Sequence, residues 1–169
     1  MIHPYNYVEA AEALSIIESG QRVFIHGGVC TPTYLINELG KETDRLKNVE
    51  IVSITVKGDV EVAKPQYQDS FHINSLFVST PVRQAVAEGR ADFIPVFLSD
   101  IPDLFRRRIL DLDVAIVQVS PPDVHGDPRH RRHAMGQHVP VVLAVARSLR
   151  GGVDGREPFR RRAGHGLRR

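Results

Sequence analysis

Apolar positions recur at helical spacing over the first residues, where Val8, Ala11, Leu14, Ile16 and Ile17 fall largely on one face and Ser19-Gly20 closes the pattern with a turn. This predicts an amphipathic helix. The period then changes to that of strands: Arg22 to His26 is a short β-rich run that breaks at Gly27-Gly28, and Thr31-Pro32 leads into a helix carrying Leu35, Ile36 and Leu39. A second unit begins with the β-branched run Val49 to Val56, bounded by Lys57-Gly58, with Val60 to Ala63 as a short continuation and Leu76 to Ser79 as a further strand. Thr80-Pro81 offers an N-cap followed by proline at the first helical position, so a helix is expected through Val82, Ala85 and Val86 to a stop at Gly89. Asp92 to Leu98 returns to strand, Ser99 and Asp100 can cap a helix around Leu104 and Phe105, and Val114 to Val119 is a nearly continuous apolar strand of the kind buried on both faces of a parallel sheet. Strands alternating with helices predict an α/β domain with crossover connections.

After Gly126 this pattern stops. Asp127 to His138 has no apolar period, Val139 to Leu149 admits one short strand or helix, and Gly151 to Arg169 is rich in Gly and Arg. The last stretch is expected to be disordered, since it has little apolar surface to offset its ordering entropy. Two parts are therefore expected: an α/β domain over residues 1–126 and an irregular, basic tail over 127–169.

Charge sharpens that division. The whole chain of 169 residues carries a formal +2, but residues 1–126 hold 11 Lys+Arg against 17 Asp+Glu, net −6, whereas 127–169 hold 11 Arg, no Lys and 3 acidic residues, net +8. Such an asymmetry marks either a basic arm for phosphates or membrane surface, or a segment never selected to fold with the rest. No stretch approaches the roughly 18 consecutive apolar residues of a membrane span, and Met1 to Ala10 lacks a basic region followed by an apolar run. The lone Cys30 excludes an internal disulfide framework and a Cys-based zinc cluster, which suits a reducing cytoplasm. Hydrophobic residues make up 42% of the chain, enough for a core of ordinary size.

Two loops carry candidate chemistry. Gly27-Gly28-Val29-Cys30-Thr31-Pro32 lies between a strand and a helix, where glycines let backbone approach a ligand and amides can hold an anion or a developing oxyanion. The dinucleotide spacing G-x-G-x-x-G and the phosphate-loop ending Gly-Lys-Ser/Thr are both absent, and there is no G-x-S-x-G elbow. A bare Gly-Gly turn is more often structural, and Cys30 and His26 read more readily as packed side chains than as a nucleophile and its base. The second loop, Ser120-Pro121-Pro122-Asp123-Val124-His125-Gly126, follows the most apolar strand, and loops at the carboxyl ends of parallel strands face the ligand crevice. Asp123 and His125 there suit acid and base, a metal pair or a decorated turn.

Taken in order, Ser19-Gly20-x-x-Val23, the Gly27-Gly28 loop with Pro32 and Leu35, Val82-Arg83-x-Ala85 with Gly89, Ala91-Asp92-x-x-Pro95, and Asp113-Val114-Ala115-Ile116 running into Val119-Ser120-Pro121-Pro122-Asp123-x-His125-Gly126 resemble the N-terminal domain of the acetyl-CoA hydrolase/transferase family. The resemblance spans about residues 5–126. It implies a CoA-transferase-like fold, an open and mostly parallel sheet flanked by helices, related to ribose-5-phosphate isomerase and glucosamine-phosphate deaminase domains. It implies two such domains in a full protein, with the site in the cleft between them. The implied reaction moves CoA from an acyl-CoA to a short carboxylic acid: a glutamate attacks the thioester to give an acyl-glutamyl anhydride, then a glutamyl-CoA thioester, then the new acyl-CoA. Coenzyme A is substrate there, and no metal or redox cofactor is implied. Gly27, Gly28, Val29, Pro32, Ser120, Pro121, Asp123, His125 and Gly126 become the expected substrate-binding residues.

Beyond Gly126 the family continues with a Ser-Leu-Gly-like stretch towards a second domain that supplies the glutamate, whereas this chain reads Asp127-Pro128-Arg129-His130-Arg131-Arg132. Glu38, Glu61, Glu88 and Glu157 match no nucleophile position, so no catalytic residue is carried over and the isolated chain is expected to be inactive. A frameshift or early stop in a GC-rich gene would account for the boundary, the absence of Lys and the early end together; family-like continuation in another reading frame of the DNA would support it. A complementary C-terminal domain or a homo-oligomer is then the expected partner. Two alternatives remain open. One is an Arg-tailed module binding nucleic acid or another partner, with Phe159 as the tail's one aromatic residue. The other is a sugar-phosphate isomerase-like protein with phosphate on Gly27-Gly28. His130, His133 and His138 have a spacing that attracts zinc or nickel, but structural zinc normally takes four ligands, and no metal site is expected.

Overall fold

The computed structural model describes residues 8–119 and the strand Val141–Val145. Four α-helices, α1 (Ala10–Leu14), α2 (Thr33–Leu39), α3 (Thr80–Ala87) and α4 (Ile101–Arg106), surround six strands: β1 (Arg22–Ile25), β2 (Val49–Ser53), β3 (Phe71–Ser75), β4 (Ala91–Phe93), β5 (Val114–Gln118) and β6 (Val141–Val145). They form one sheet in the order β4-β3-β2-β1-β5-β6. The first five strands pair in parallel, and β6 adds to β5 antiparallel. The α/β fold with an open, mostly parallel sheet is therefore observed. The short element anticipated within Val139 to Leu149 is the strand β6; the rest of 120–169 lies outside the described residues.

Alternation along each strand sorts the side chains onto two faces. Val23 and Ile25, Val49 and Ile51, Phe71 and Ile73, and Val114 and Ile116 point to the face that Leu14 of α1, Ile36 and Leu39 of α2 and Val82 and Ala85 of α3 cover, all of them buried. Burial of this whole apolar set is the main source of stability. On the other face Phe24, Val52, Ile54 and Leu76 meet Ile101, Leu104 and Phe105 of α4, with Phe24 and Phe105 edge to face at 5.7 Å between ring centroids. Only the carboxyl half of this second face is apolar. Its amino end carries Arg22, Glu50 and His72, and the polar strip continues towards the β4 edge through Asn74 and Asp92, which are level with Val52.

Four expectations shift. The strand expected over Asp92 to Leu98 is only Ala91–Phe93, and the chain leaves the sheet after it with Phe97 and Leu98 exposed. The third strand is Phe71–Ser75, not Leu76 to Ser79, because β3 alternates Phe71 and Ile73 inward with His72 and Asn74 on the polar half of the second face. Glu61–Ala63 is a single tight turn that buries Val62 and Ala63, so Val60 to Ala63 does not continue β2. The N-cap of α3 is Ser79, with Thr80 and Pro81 already inside the helix.

Candidate functional site

The order β4-β3-β2-β1-β5-β6 places the first strand in the middle of the sheet, with the chain winding outward to β4 on one side and to β5 on the other. In open parallel sheets ligands are received beyond the carboxyl ends of the strands at such a reversal. The loop leaving β1 is the Gly27-Gly28 segment. It begins against β5, where the His26 N–H donates to Ile116 O at 2.9 Å, and then leans onto the chain leaving β2, where the Gly28 N–H donates to Thr55 O at 2.8 Å.

The need for both glycines is local. A Cβ on Gly27 would stand 2.2 Å from Thr55 O, a backbone atom, so any side chain would push the two loops apart. Gly28 has φ +63° and faces open space, with no atom within 4 Å of the position of a Cβ. The loop thus brings bare backbone to the carboxyl edge of the sheet. Val29 follows with 64% of its surface exposed, Cys30 is half-buried, and Thr31 and Pro32 are buried beneath α2.

Gly27, Gly28, Val29 and Pro32 are accordingly brought together on one loop at the carboxyl edge. Ser120, Pro121, Asp123, His125 and Gly126 lie outside the described residues; β5 reaches the same edge beside β1, with Ile25 opposite Ile116, and Val119 is buried. Glu38, Glu61 and Glu88 each hold a neighbour in a local pair, with Lys41 at 2.6 Å, with Lys64, and with Arg90 Nε at 2.9 Å. Among the described residues no group of three or more His, Cys, Asp or Glu side chains could hold a metal ion, and no helix is long and apolar enough to cross a membrane.

Sequence reasoning passed over two residues of this edge. Thr31 Oγ1 donates to Gly28 O at 2.7 Å and accepts the Lys57 N–H at 3.1 Å, while Ser79 Oγ accepts the Val56 N–H at 3.2 Å. Neither has a signature in spacing, because each acts across loops far apart in the chain. The only local hint was the position of Thr31 inside the glycine loop.

Residues 3–136 match the acetyl-CoA hydrolase/transferase N-terminal domain. The chain belongs to the acetyl-CoA hydrolase/transferase family. The match runs past Gly126, the limit of the resemblance seen in the sequence. A succinyl-CoA:acetate/propanoyl-CoA:succinate CoA transferase of Fasciola hepatica is 41% identical over 117 residues, 68% of this chain and 24% of that protein. A 4-hydroxybutyrate coenzyme A transferase of Clostridium kluyveri is 40% identical over 125 residues, 74% of this chain and 29% of that protein. This N-terminal domain of the family thus spans about a quarter of the length of those curated relatives. Among solved structures, RipA from Yersinia pestis superposes with a TM-score of 0.63 at 20% identity, over 70% of this chain and 30% of that one, a likeness of fold.

Proposed function

We propose that this chain is the acyl-CoA-receiving lobe of an acyl-CoA:carboxylate CoA-transferase or acetyl-CoA hydrolase, which passes CoA between an acyl-CoA and a short carboxylic acid. The observation that carries the reading is the bare Gly27-Gly28 backbone at the carboxyl end of the central strand, in a family whose relatives named above are CoA transferases. Open backbone at that edge lets a thioester or a carboxylate approach with no side chain in the way, while the Gly28 N–H itself stays bonded to Thr55 O and holds the loop in place. Ser120, Pro121, Asp123, His125 and Gly126 are proposed to line the same crevice from the neighbouring strand. Coenzyme A enters as substrate, and the cytoplasm is the proposed setting, in keeping with the free Cys30.

Among the described residues Glu38, Glu61 and Glu88 are held in local pairs with Lys41, Lys64 and Arg90, and the attacking carboxylate is proposed to come from a complementary domain. The chain alone should bind acetyl-CoA and turn over none of it. Thermal unfolding with acetyl-CoA, CoA or ribose-5-phosphate tests the reading. A rise in midpoint with either thioester-pathway compound and none with the sugar phosphate is expected; a rise with ribose-5-phosphate alone would move the protein to the isomerase branch. Isotope exchange between acetyl-CoA and labelled acetate should stay at background. Size-exclusion chromatography, with and without a family C-terminal domain, reports the partner.

A further inference from the structure

We propose that Thr31 and Ser79 are positioning residues that fix the segment after β2 as part of the acyl-CoA-receiving edge, an inference that rests on the function proposed above. Two consecutive amides of that segment are held by hydroxyls from two different loops: the Lys57 N–H by Thr31 Oγ1 at 3.1 Å and the Val56 N–H by Ser79 Oγ at 3.2 Å. Thr31 also closes a ring. Its hydroxyl donates to Gly28 O at 2.7 Å, and Gly28 returns a bond from its own N–H to Thr55 O at 2.8 Å.

The loops leaving β1, β2 and β3 are thereby one hydrogen-bonded unit, and Gly28 sits inside the ring, not at its end. Ser79 gives up something to take part. It is the N-cap residue of α3, where a serine hydroxyl ordinarily accepts a bond from its own helix, yet it makes no such bond and serves Val56 instead. Thr31 is 7% exposed, so its two bonds are made away from competing water. A ligand received on Gly28 and the adjoining loop then meets backbone already ordered, and does not pay the entropy of ordering it.

The test uses the full chain, calorimetric titration with acetyl-CoA, and hydrogen exchange of the Val56 and Lys57 amides. Thr31→Val keeps the shape and removes the hydroxyl; it should weaken acetyl-CoA binding about tenfold and speed exchange at Lys57. Thr31→Ser restores the hydroxyl and should return both to wild-type values. Ser79→Ala probes the unit from its other side, with faster exchange at Val56 and weaker binding, and serves if Thr31→Val does not fold. Should the wild-type chain bind acetyl-CoA and Thr31→Val and Ser79→Ala bind it equally well, the positioning role is wrong. Weakening by Thr31→Ser as great as by Thr31→Val would also overturn it, because packing and not the hydroxyl would then matter. Absence of binding by the wild-type chain is a different result: it removes the proposed function, and this inference with it.

Discussion

The two ends of the parallel sheet are tied together by different chemistry. At the amino end the ties are charged: Arg22 Nε donates to Glu50 Oε2 at 2.7 Å, Glu50 also takes a bond from Asn74, the Arg22 N–H donates to Asp113 Oδ2 at 3.0 Å, and His72 Nε2 lies 2.8 Å from Asp92 Oδ2. At the carboxyl end the loops are joined by hydroxyls and by backbone, through Thr31, Ser79 and the Gly28–Thr55 bond. Fixed ion pairs at the ligand end would compete with a charged substrate for the same groups, while neutral donors and open backbone leave the electrostatics there to the ligand. The difference separates an end that holds the sheet from an end built to receive something.

The largest effect is expected where backbone meets backbone at the receiving end. Gly27→Ala would place a methyl carbon 2.2 Å from Thr55 O, and neither partner is a flexible side chain that can move aside. A loss of about 3 kcal/mol is expected, at the upper end of the usual cost of overpacking, and urea unfolding monitored by circular dichroism measures it. Gly28→Ala faces open space and meets only the strain of φ +63°, so about 1 kcal/mol should be lost. Equal losses for the two glycines would show that the close approach at Gly27 is not what makes it glycine.

Next in size is the hydroxyl. Thr31→Val leaves the Lys57 N–H without its hydroxyl partner, while Gly28 O keeps the Thr31 N–H at 3.3 Å, and about 1.5 kcal/mol of stability should go with it. Raising the salt concentration should leave that deficit unchanged. At the opposite end Glu50→Ala removes a half-exposed ion pair, whose worth is about 1 kcal/mol or less and which salt screens. Comparing unfolding midpoints of the two variants at low and high salt tests the contrast directly: a salt-dependent Thr31 deficit, or a salt-independent Glu50 deficit, would break it.

How much of this was legible in the sequence depends on the range of the interaction. The strands Arg22–Ile25 and Val114–Gln118 and the helix after Pro32 declared themselves, since apolar period, β-branching and a glycine break are local signals. The strand Phe71–Ser75 did not, because His72 and Asn74 are polar where the sheet's second face is polar, and the more apolar Leu76 to Ser79 beside it drew the assignment. Gly27-Gly28 could be placed on a strand-to-helix loop from spacing alone. What made Gly27 obligatory is Thr55, and what makes Thr31 and Ser79 informative is Lys57 and Val56. Those neighbours are supplied by the pairing of β1 with β2 and β2 with β3, which no single-strand pattern contains.

The smallest effect expected is also the one that separates the two ends by pH. Glu88, just ahead of β4 at the amino end, has its carboxyl held below the usual glutamate value, first by the hydrogen bond from Arg90 and then by that from Gln84. A carboxylate whose folded pKa is depressed contributes stability that is complete above its unfolded pKa and is lost as pH falls through the folded one. Glu88→Gln should therefore show its small deficit near neutral pH and lose it below about pH 4.5, so that stability falls less steeply on the acid side than in the wild type. The Glu88 carboxylate faces water while the Arg90 side chain is mostly covered, so water and salt still take part of the pair's strength. Thr31→Val carries no titrating group, and its deficit should be the same at both ends of that range. Urea midpoints of the two variants and the wild type at about pH 6 and about pH 3 decide it. An acid slope that Glu88→Gln leaves untouched would mean that the Arg90 bond does not persist in solution, and the charged character of the holding end would then rest on Arg22, Glu50, Asp113 and the His72–Asp92 pair.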